Sequence, residues 1–231
     1  MNDWISFYDF KHSFIYVNAR HREVHYSTIA QDTRDYVPSP SAQVLDFGCG
    51  EADFADLVAA ACGHLSLVDA APNVRARLTE RYARNNKISV LTPDEAAAMP
   101  AGTLDLVVMH SVAQYLSEAE LDRQFAIFRA LLKPGGRLVV GDVVPPKLAA
   151  PAAAVTLLRI GAANGFFWAA VGGLIRIFLS DYFRLKKAHG LSHYSQAAML
   201  ERLTRAGFAA QRAARNLGHN QWRMTFLATP K

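Results

Sequence analysis

The chain of 231 residues has only two cysteines, Cys49 and Cys62. They are too few for a disulfide framework and too isolated for a zinc site. The opening stretch, MNDWISFYDFKH, has acids and aromatics where a secretion signal would have a basic segment followed by an apolar run. A reducing cytoplasm is the expectation. There is no internal repeat and no long low-complexity segment. The apolar stretch between Arg159 and Arg176 has 16 uncharged residues, short of the roughly twenty that span a bilayer. Apolar residues make up 51% and charged residues 19%, an ordinary globular balance that lets one domain bury a core.

The net charge of +5 is unevenly spread. Residues 1–150 hold 14 Lys/Arg against 18 Asp/Glu, and residues 151–231 hold 11 against 2. That split fits either an anionic partner, such as nucleic acid or a membrane face, or Arg-rich helices solvated on one side.

Strand and helix signals alternate from residue 42 onward, which predicts a parallel sheet covered on both faces. Strands are expected near 43–47, 64–69, 88–91, 104–109 and 136–142. Apolar residues at 54, 57, 58 and 61 form a helical stripe that Gly63 ends, and Pro72 suits the first turn of the next helix. Ser117 with Glu120 is a capping box opening a helix over 118–132, which stops at Lys133-Pro134-Gly135-Gly136. Alternation through Trp222, Met224, Phe226 and Ala228 predicts a strand over 221–228. Residues 1–42 are expected to form a helical N-terminal cap. Residues 43–231 then form one domain, with an apolar helical insert at about 147–190.

The most telling segment is VLDFGCG at 44–50. An apolar strand ends in Asp46 and runs into Gly48 and Gly50, whose missing side chains let the backbone turn tightly and approach a ligand. A second strand ends in Asp69 about twenty residues on, where a carboxylate suits the two hydroxyls of a ribose. A dinucleotide fingerprint would have a third glycine at position 53, where Asp53 stands. Asp46, Glu51 and Asp53 would repel a pyrophosphate and favour a ligand with sulfonium and ammonium groups. S-adenosylmethionine is such a ligand.

With these residues the chain resembles a class I S-adenosylmethionine-dependent methyltransferase of the small-molecule type. VLDFGCG is similar to the family's first motif and LVDAAP at 67–72 to its second. LDLVVMHSVAQYL at 104–116 is similar to the fourth strand, and LLKPGGRLVVGDVV at 131–144 to the helix, turn and fifth strand. YSQAAMLERLTRAGF at 194–208 resembles the helix before the last hairpin. The resemblance implies a Rossmann-like seven-stranded α/β sheet with helices on both faces and the last strand antiparallel. A helical N-terminal cap and a helical lid insert complete it, and strands near 208–213 and 221–228 form the hairpin.

The resemblance also implies cofactor roles. Asp46 approaches the methionine moiety, Gly48 and Gly50 make the turn, Asp69 takes the ribose hydroxyls, and Ala70 lies beside the adenine. An acid after the third strand meets the adenine amino group, with Asp94 and Glu95 both candidates. His110 and Ser111 lie where the backbone passes the cofactor, and Tyr16 or Arg20 of the cap holds its carboxylate.

Methyl transfer from a sulfonium is an in-line displacement whose leaving thioether needs no proton. The protein therefore mainly supplies alignment and exclusion of water. A base is needed only if the acceptor keeps its proton. His110, at the ligand-bearing edge of the sheet, is one candidate. His21 and His25, four apart on one helix face, are others. HREVH at 21–25 is not the HExxH metal motif, and no metal is expected. Tyr115, Phe166, Phe167 and Trp168 are candidate substrate contacts, because the apolar insert leaves the fifth strand on the acceptor side.

A small lipophilic or aromatic acceptor is the expectation. The insert at 152–190 is read as a lid, a homodimer interface or a membrane-surface contact. The protein is then cytoplasmic or peripheral to a membrane. A non-catalytic interaction protein of this fold and an RNA-directed methyltransferase are the alternatives. Nucleic acid is disfavoured, because the place of the D/N-P-P-Y/F motif of DNA amino-methylating enzymes reads HSVAQY.

Overall fold

The computed structural model describes residues 5, 9, 16–146, 150–178 and 191–231. Helix α1 (Ala19–Arg34) starts where Asn18 accepts the His21 amide on its side chain, a standard N-cap arrangement. Strand β1 (Gln43–Phe47), helix α2 (Ala55–Ala61), β2 (His64–Val68), α3 (Pro72–Tyr82), β3 (Ile88–Leu91) and the short α4 (Pro93–Ala97) make up the first half of the Rossmann-like unit. The second half comprises β4 (Leu104–His110), α5 (Glu118–Leu131), β5 (Leu132–Val143), the insert helices α6 (Ala150–Ala163) and α7 (Phe167–Phe178), α8 (Gln196–Arg205), β6 (Phe208–Arg212) and β7 (Met224–Pro230).

The seven strands form one sheet in the order β3-β2-β1-β4-β5-β7-β6. β7 runs antiparallel to both of its neighbours, and the other pairings are parallel. Chain direction across the sheet reverses between β1 and β4. A ligand crevice opens at such a switch point, outside the carboxyl ends of the strands.

Both faces are buried, so the central strands are apolar on both sides. Leu45, Phe47, Val107, Met109, Leu138 and Val140 pack under α5 and α8 against Phe125, Phe128, Met199 and Leu203. Val44, Leu106, Val108 and Val139 face α1, α2 and α3 through Ala30, Val58, Ala59, Val74 and Leu78. The period-two alternation places Asp46 and His110 on this second face, at the tips of β1 and β4.

Two boundaries differ from expectation. β5 begins at Leu132, and its pairing with β4 shifts between Leu104 and Leu106. The Lys133-Pro134-Gly135-Gly136 stretch is therefore an irregularity within the strand. Gly135 takes φ +80° there, and Lys133 Nζ pairs with Asp105 at 2.8 Å. β7 begins at Met224, leaving Trp222 57% exposed. Gln221 holds residues 216–222 as a loop, through bonds to the backbone of Asn216 and Gly218 at 2.9, 3.1 and 2.7 Å.

Helix α5 buries Leu121, Phe125, Phe128 and Leu131 in the core, and its capping box at Ser117 and Glu120 is formed as expected. Phe125 is fully buried on that helix. Phe125→Ala should lower unfolding free energy by about 3–5 kcal/mol in urea titration. A loss under about 1 kcal/mol would mean that the second face of the sheet carries the stability instead.

Candidate functional site

A cavity of about 590 Å³ opens at the carboxyl ends of β1, β2, β4 and β5, within the usual range of small-molecule sites. Its floor is the turn after β1. The amides of Gly48 and Cys49 both donate to the Val68 carbonyl, at 2.7 and 3.1 Å, binding the tip of β1 to that of β2. Gly48 has φ +72°, and a Cβ there would lie 2.3 Å from Val112 Cγ2. No other residue fits that turn.

Asp69 closes the floor. One carboxylate oxygen accepts the Gly50 amide at 3.0 Å and the other the Ala71 amide at 2.8 Å. Each oxygen keeps a lone pair for a ligand hydroxyl. Burial raises the Asp69 carboxyl, and the Ala71 and Gly50 amides oppose that rise. Asp46 makes no hydrogen bond or ion pair among the described residues. Burial, with Asp69 nearby, raises it to about 7.

The other two acids are engaged elsewhere. Glu51 is buried and pairs with Arg77, with Arg22 at 3.6 Å and with Arg81 at 3.5 Å. Asp53 holds Arg22 through two bonds of 2.6 and 2.8 Å and meets Arg81 at 2.9 Å. The expectation that Glu51 and Asp53 add negative charge to the ligand is therefore corrected. Arginines on α1 and α3 neutralise both, and the pairs fasten those helices to the turn. Asp46 and Asp69 carry the anionic character of this end of the cavity.

Among the sequence-derived candidates, Tyr16, His21, His25, Asp46, Gly48, Gly50, Asp69, Ala70, His110, Ser111 and Tyr115 line the cavity. Arg20, Asp94, Glu95, Phe166, Phe167 and Trp168 do not. Arg20 is half exposed and pairs with Glu23 at 2.9 Å. The Glu95 carboxylate accepts the Thr92 amide at 2.7 Å in a capping box that opens α4, and Asp94 lies in the first turn of that helix while Pro93 meets the cavity.

The insert also sits differently from a substrate lid. Gly165, at φ +78°, turns the chain between α6 and α7, leaving Phe167 38% and Trp168 81% exposed. Phe166 is buried but stacks on the His21 ring, with centroids 5.3 Å apart. Gly173 lies so close to Val17 that a Cβ would be 2.0 Å from its Cγ1. The hairpin therefore buttresses residues 16–21 from behind. The basic residues Arg184, Lys186 and Lys187, which would help a membrane-surface contact of the insert, lie outside the described residues.

The other end of the cavity sets Ser111, a sequence candidate, beside Asp142, His219 and Arg223, which sequence reasoning missed. Ser111 and Asp142, at the tips of β4 and β5, both take positive φ, 57° and 62°. Non-glycine residues in that region carry strain of about 1–3 kcal/mol and persist only when their surroundings hold them. Here the Ser111 hydroxyl donates to Asp142, and Arg223 pairs with the same carboxylate. Asn216 accepts the Asp142 amide at 3.1 Å and donates to its carboxylate at 3.2 Å. Burial alone would raise Asp142, but Arg223, His110 and these donors hold it below the usual carboxylate range.

His219 also lines this wall, and its Nδ1 is buried without a partner among the described residues. Asp32 of α1 ties down the loop that carries His219, accepting from the Gly218 amide at 2.7 Å and from Arg215 at 2.8 Å. The sequence signal for this part is faint: a polar NLGHN stretch just before the last strand.

Residues 44–136 match the family model described as a methyltransferase domain. Nodulation protein S of Rhizobium tropici is 30% identical over 104 residues, covering 45% of this chain and 44% of that protein. The Sinorhizobium fredii protein of the same name is 26% identical over 107 residues, covering 46% and 49%. The chain thus spans about half the length of the curated relatives it matches. In fold it resembles magnesium protoporphyrin IX methyltransferase from Synechocystis, solved with S-adenosylhomocysteine, at TM-score 0.60 and 18% identity, covering 93% of this chain and 88% of that one. The N-methyltransferase NodS of Bradyrhizobium japonicum, also solved with S-adenosylhomocysteine, gives TM-score 0.57 and 18% identity, covering 93% and 89%.

The Asp46–Asp69 pair sets a titration to be checked. A carboxyl raised from about 3.8 to about 7 keeps its proton in the folded state. Its stability contribution is therefore full in acid and is lost as pH rises through the folded value. Carbon-detected NMR should show an Asp46 carboxyl titrating near neutrality, and Asp69→Asn should move it downward. An Asp46 that titrates below about pH 5 in the wild type would contradict this geometry.

Proposed function

We propose that the chain, whose residues 44–136 match a methyltransferase domain, is a class I S-adenosylmethionine-dependent methyltransferase that transfers a methyl group to a small-molecule acceptor. The observation that carries this reading is the Asp69 carboxylate, held by two backbone amides beside the Gly48–Gly50 turn with lone pairs still directed to the cavity. In this reading Asp69 takes the ribose hydroxyls and Ala70 meets the adenine. Asp46, a carboxyl at the tip of β1 without a partner among the described residues, faces the methionine ammonium directly or through water. A cationic ligand there stabilises the carboxylate that burial disfavours, so the site fits the cofactor's charge.

Bound in this way, S-adenosylmethionine supplies an electrophilic methyl on a sulfonium. The chain's own part is to align it and exclude water. Tyr16, His21 and His25 close the cavity from the cap side, and Ser111 and Val112 close it from the β4 tip.

We assign the acceptor to the region walled by His25, His110, Tyr115, Leu116 and His219. Asp142 in this wall is neutralised by Arg223, and burial lowers His110 and His219, which favours their neutral rings. An uncharged, planar or lipophilic acceptor suits such a wall, because a strongly charged one would lose its hydration without repayment. Similarity to nodulation protein S favours nitrogen as the methylated atom, with oxygen as the other reading.

A contact of the α6–α7 hairpin with a second copy or a membrane surface is a separate reading, favoured by exposed Val155, Trp168 and Ile175. No described helix is long and apolar enough to cross a membrane. Light scattering and vesicle flotation distinguish these contacts, and a Trp168→Ser variant that changes neither would remove both.

Calorimetry should show S-adenosylhomocysteine binding far more tightly than NAD; the reverse order would sink the assignment. Asp69→Ala should weaken cofactor binding by roughly 1.5–3 kcal/mol, the range for a hydrogen bond to a charged group. Because Asp46 must ionise to meet a cation, wild-type affinity should rise from about pH 6 to about pH 8, and Asp46→Asn should flatten that rise.

A further inference from the structure

Among the described residues, four imidazoles meet around the acceptor end of the cavity. The His25 ring lies 5.3 Å from that of His219 and 6.4 Å from that of His110, and His21 lies 6.3 Å from His219. His110 sits in a slot that sets both its position and its tautomer. One edge of its ring is pressed against two glycines. A Cβ on Gly141 would come within 3.0 Å of His110 Cδ2, and one on Gly218 within 3.2 Å of Nε2. The same Nε2 lies 3.2 Å from the Leu217 carbonyl oxygen. A carbonyl only accepts, so His110 must donate, and the proton of the neutral ring is on Nε2. Nδ1 on the opposite edge keeps its lone pair and has no hydrogen-bond partner among the described residues, while the ring lines the cavity.

We propose that His110 Nδ1 is the proton acceptor of the methyl transfer, and that the substrate is therefore a hydroxyl or amine whose nucleophilic atom must lose a proton, rather than a carboxylate. This inference rests on the methyl-transfer reading above. In the step, the lone pair of the oxygen or nitrogen attacks the methyl carbon and forms the new O–C or N–C bond. The C–S bond breaks with its electron pair going to sulfur, and the sulfonium becomes a neutral thioether. The proton released by the nucleophile passes to Nδ1, and the resulting imidazolium later returns it to solvent.

The surroundings favour that cycle. Asp142 of β5, Arg223 ahead of β7, Asp32 and His25 of α1, and His219 of the 216–222 loop are the titratable and charged groups that face His110. Burial lowers His110 and keeps it a free base at rest, while Asp142, the Leu217 carbonyl and Asp32 act in the opposite direction and stabilise the imidazolium once it forms. His21 is driven down to about 4 by burial and by His219. Its Nδ1 accepts the Val17 amide at 3.3 Å, so it is not a competing base. A carboxylate acceptor is already deprotonated at neutral pH and would have no use for Nδ1.

The test has a structural arm and a kinetic arm. Nitrogen-15 NMR of the histidine side chains, on the full chain with S-adenosylhomocysteine, should show His110 neutral at pH 7 with the proton on Nε2. His110→Gln keeps a donor for the Leu217 carbonyl but has no base. It should bind S-adenosylhomocysteine within about threefold of wild type, yet transfer methyl at least about 100-fold more slowly. The probe is methyl-labelled S-adenosylmethionine with a panel of phenols, primary amines and carboxylic acids. Wild type should label phenols or amines, and because burial lowers His110 its rate at saturating cofactor should fall only at a pH under the ordinary imidazole value of about 6.5, in wild type only.

A proton on Nδ1 or an imidazolium at pH 7 would overturn the proposal. So would label appearing in carboxylic acids alone, no transfer to any phenol or amine, or a His110→Gln rate within about threefold of wild type. If wild type does not bind S-adenosylhomocysteine, the methyl-transfer reading falls and this inference with it.

Discussion

Asp69 joins two strand tips and one turn through two amide hydrogen bonds. The Gly48 and Cys49 amides reinforce the junction by sharing the Val68 carbonyl. With the turn pinned in this way, Asp46 is left deep in the cavity with a second carboxylate beside it. Two buried carboxyl groups this close are electrostatically unfavourable, and a cation would relieve the repulsion. Such preorganised charge serves binding because the unfavourable term is already present before the ligand arrives.

The cofactor half was legible in the sequence because its determinants are local. VLDFGCG carries the strand, the acid and both glycines within seven residues, and strand alternation then assigns each side chain to a face. Local reading failed at Glu51 and Asp53. Proximity in sequence suggested that they shared the electrostatics of Asp46, but their partners come from 26 to 31 residues away on α1 and α3. Nothing in the turn itself shows that three arginines converge there. Glu95 is ambiguous in the sequence for a related reason, since a carboxylate three residues after Thr92 is as good a helix cap as it is an adenine contact; it caps α4.

The end of the cavity around His110 and His219 was hardly legible, because long-range pairs assemble it. His110 meets Leu217 across 107 positions, Asp142 meets Asn216 across 74, and Asp32 meets Gly218 across 186. No period or motif encodes such contacts. Sequence reading could place His110 at the edge of the sheet where ligands bind, yet not the carbonyl that decides which of its nitrogens is free. The apolar insert shows the opposite failure. Its aromatics suggested a pocket wall, but Gly165 turns Phe167 and Trp168 outward and leaves Phe166 behind His21.

These contacts also explain why Ser111 and Asp142 can hold positive φ. Neither residue favours that region on its own. Ser111 donates to Asp142, and Asn216 satisfies the Asp142 amide while Arg223 balances its charge. Relaxing either backbone would break several buried polar contacts at once, and their combined loss outweighs the strain released. The same network holds the 216–222 loop against β5, and that loop carries the Leu217 carbonyl that orients His110. Strain at the strand tips, the pairing of a buried acid and the tautomer of a histidine are thus one mechanical unit, so a change to Asn216 would reach His110 without touching it.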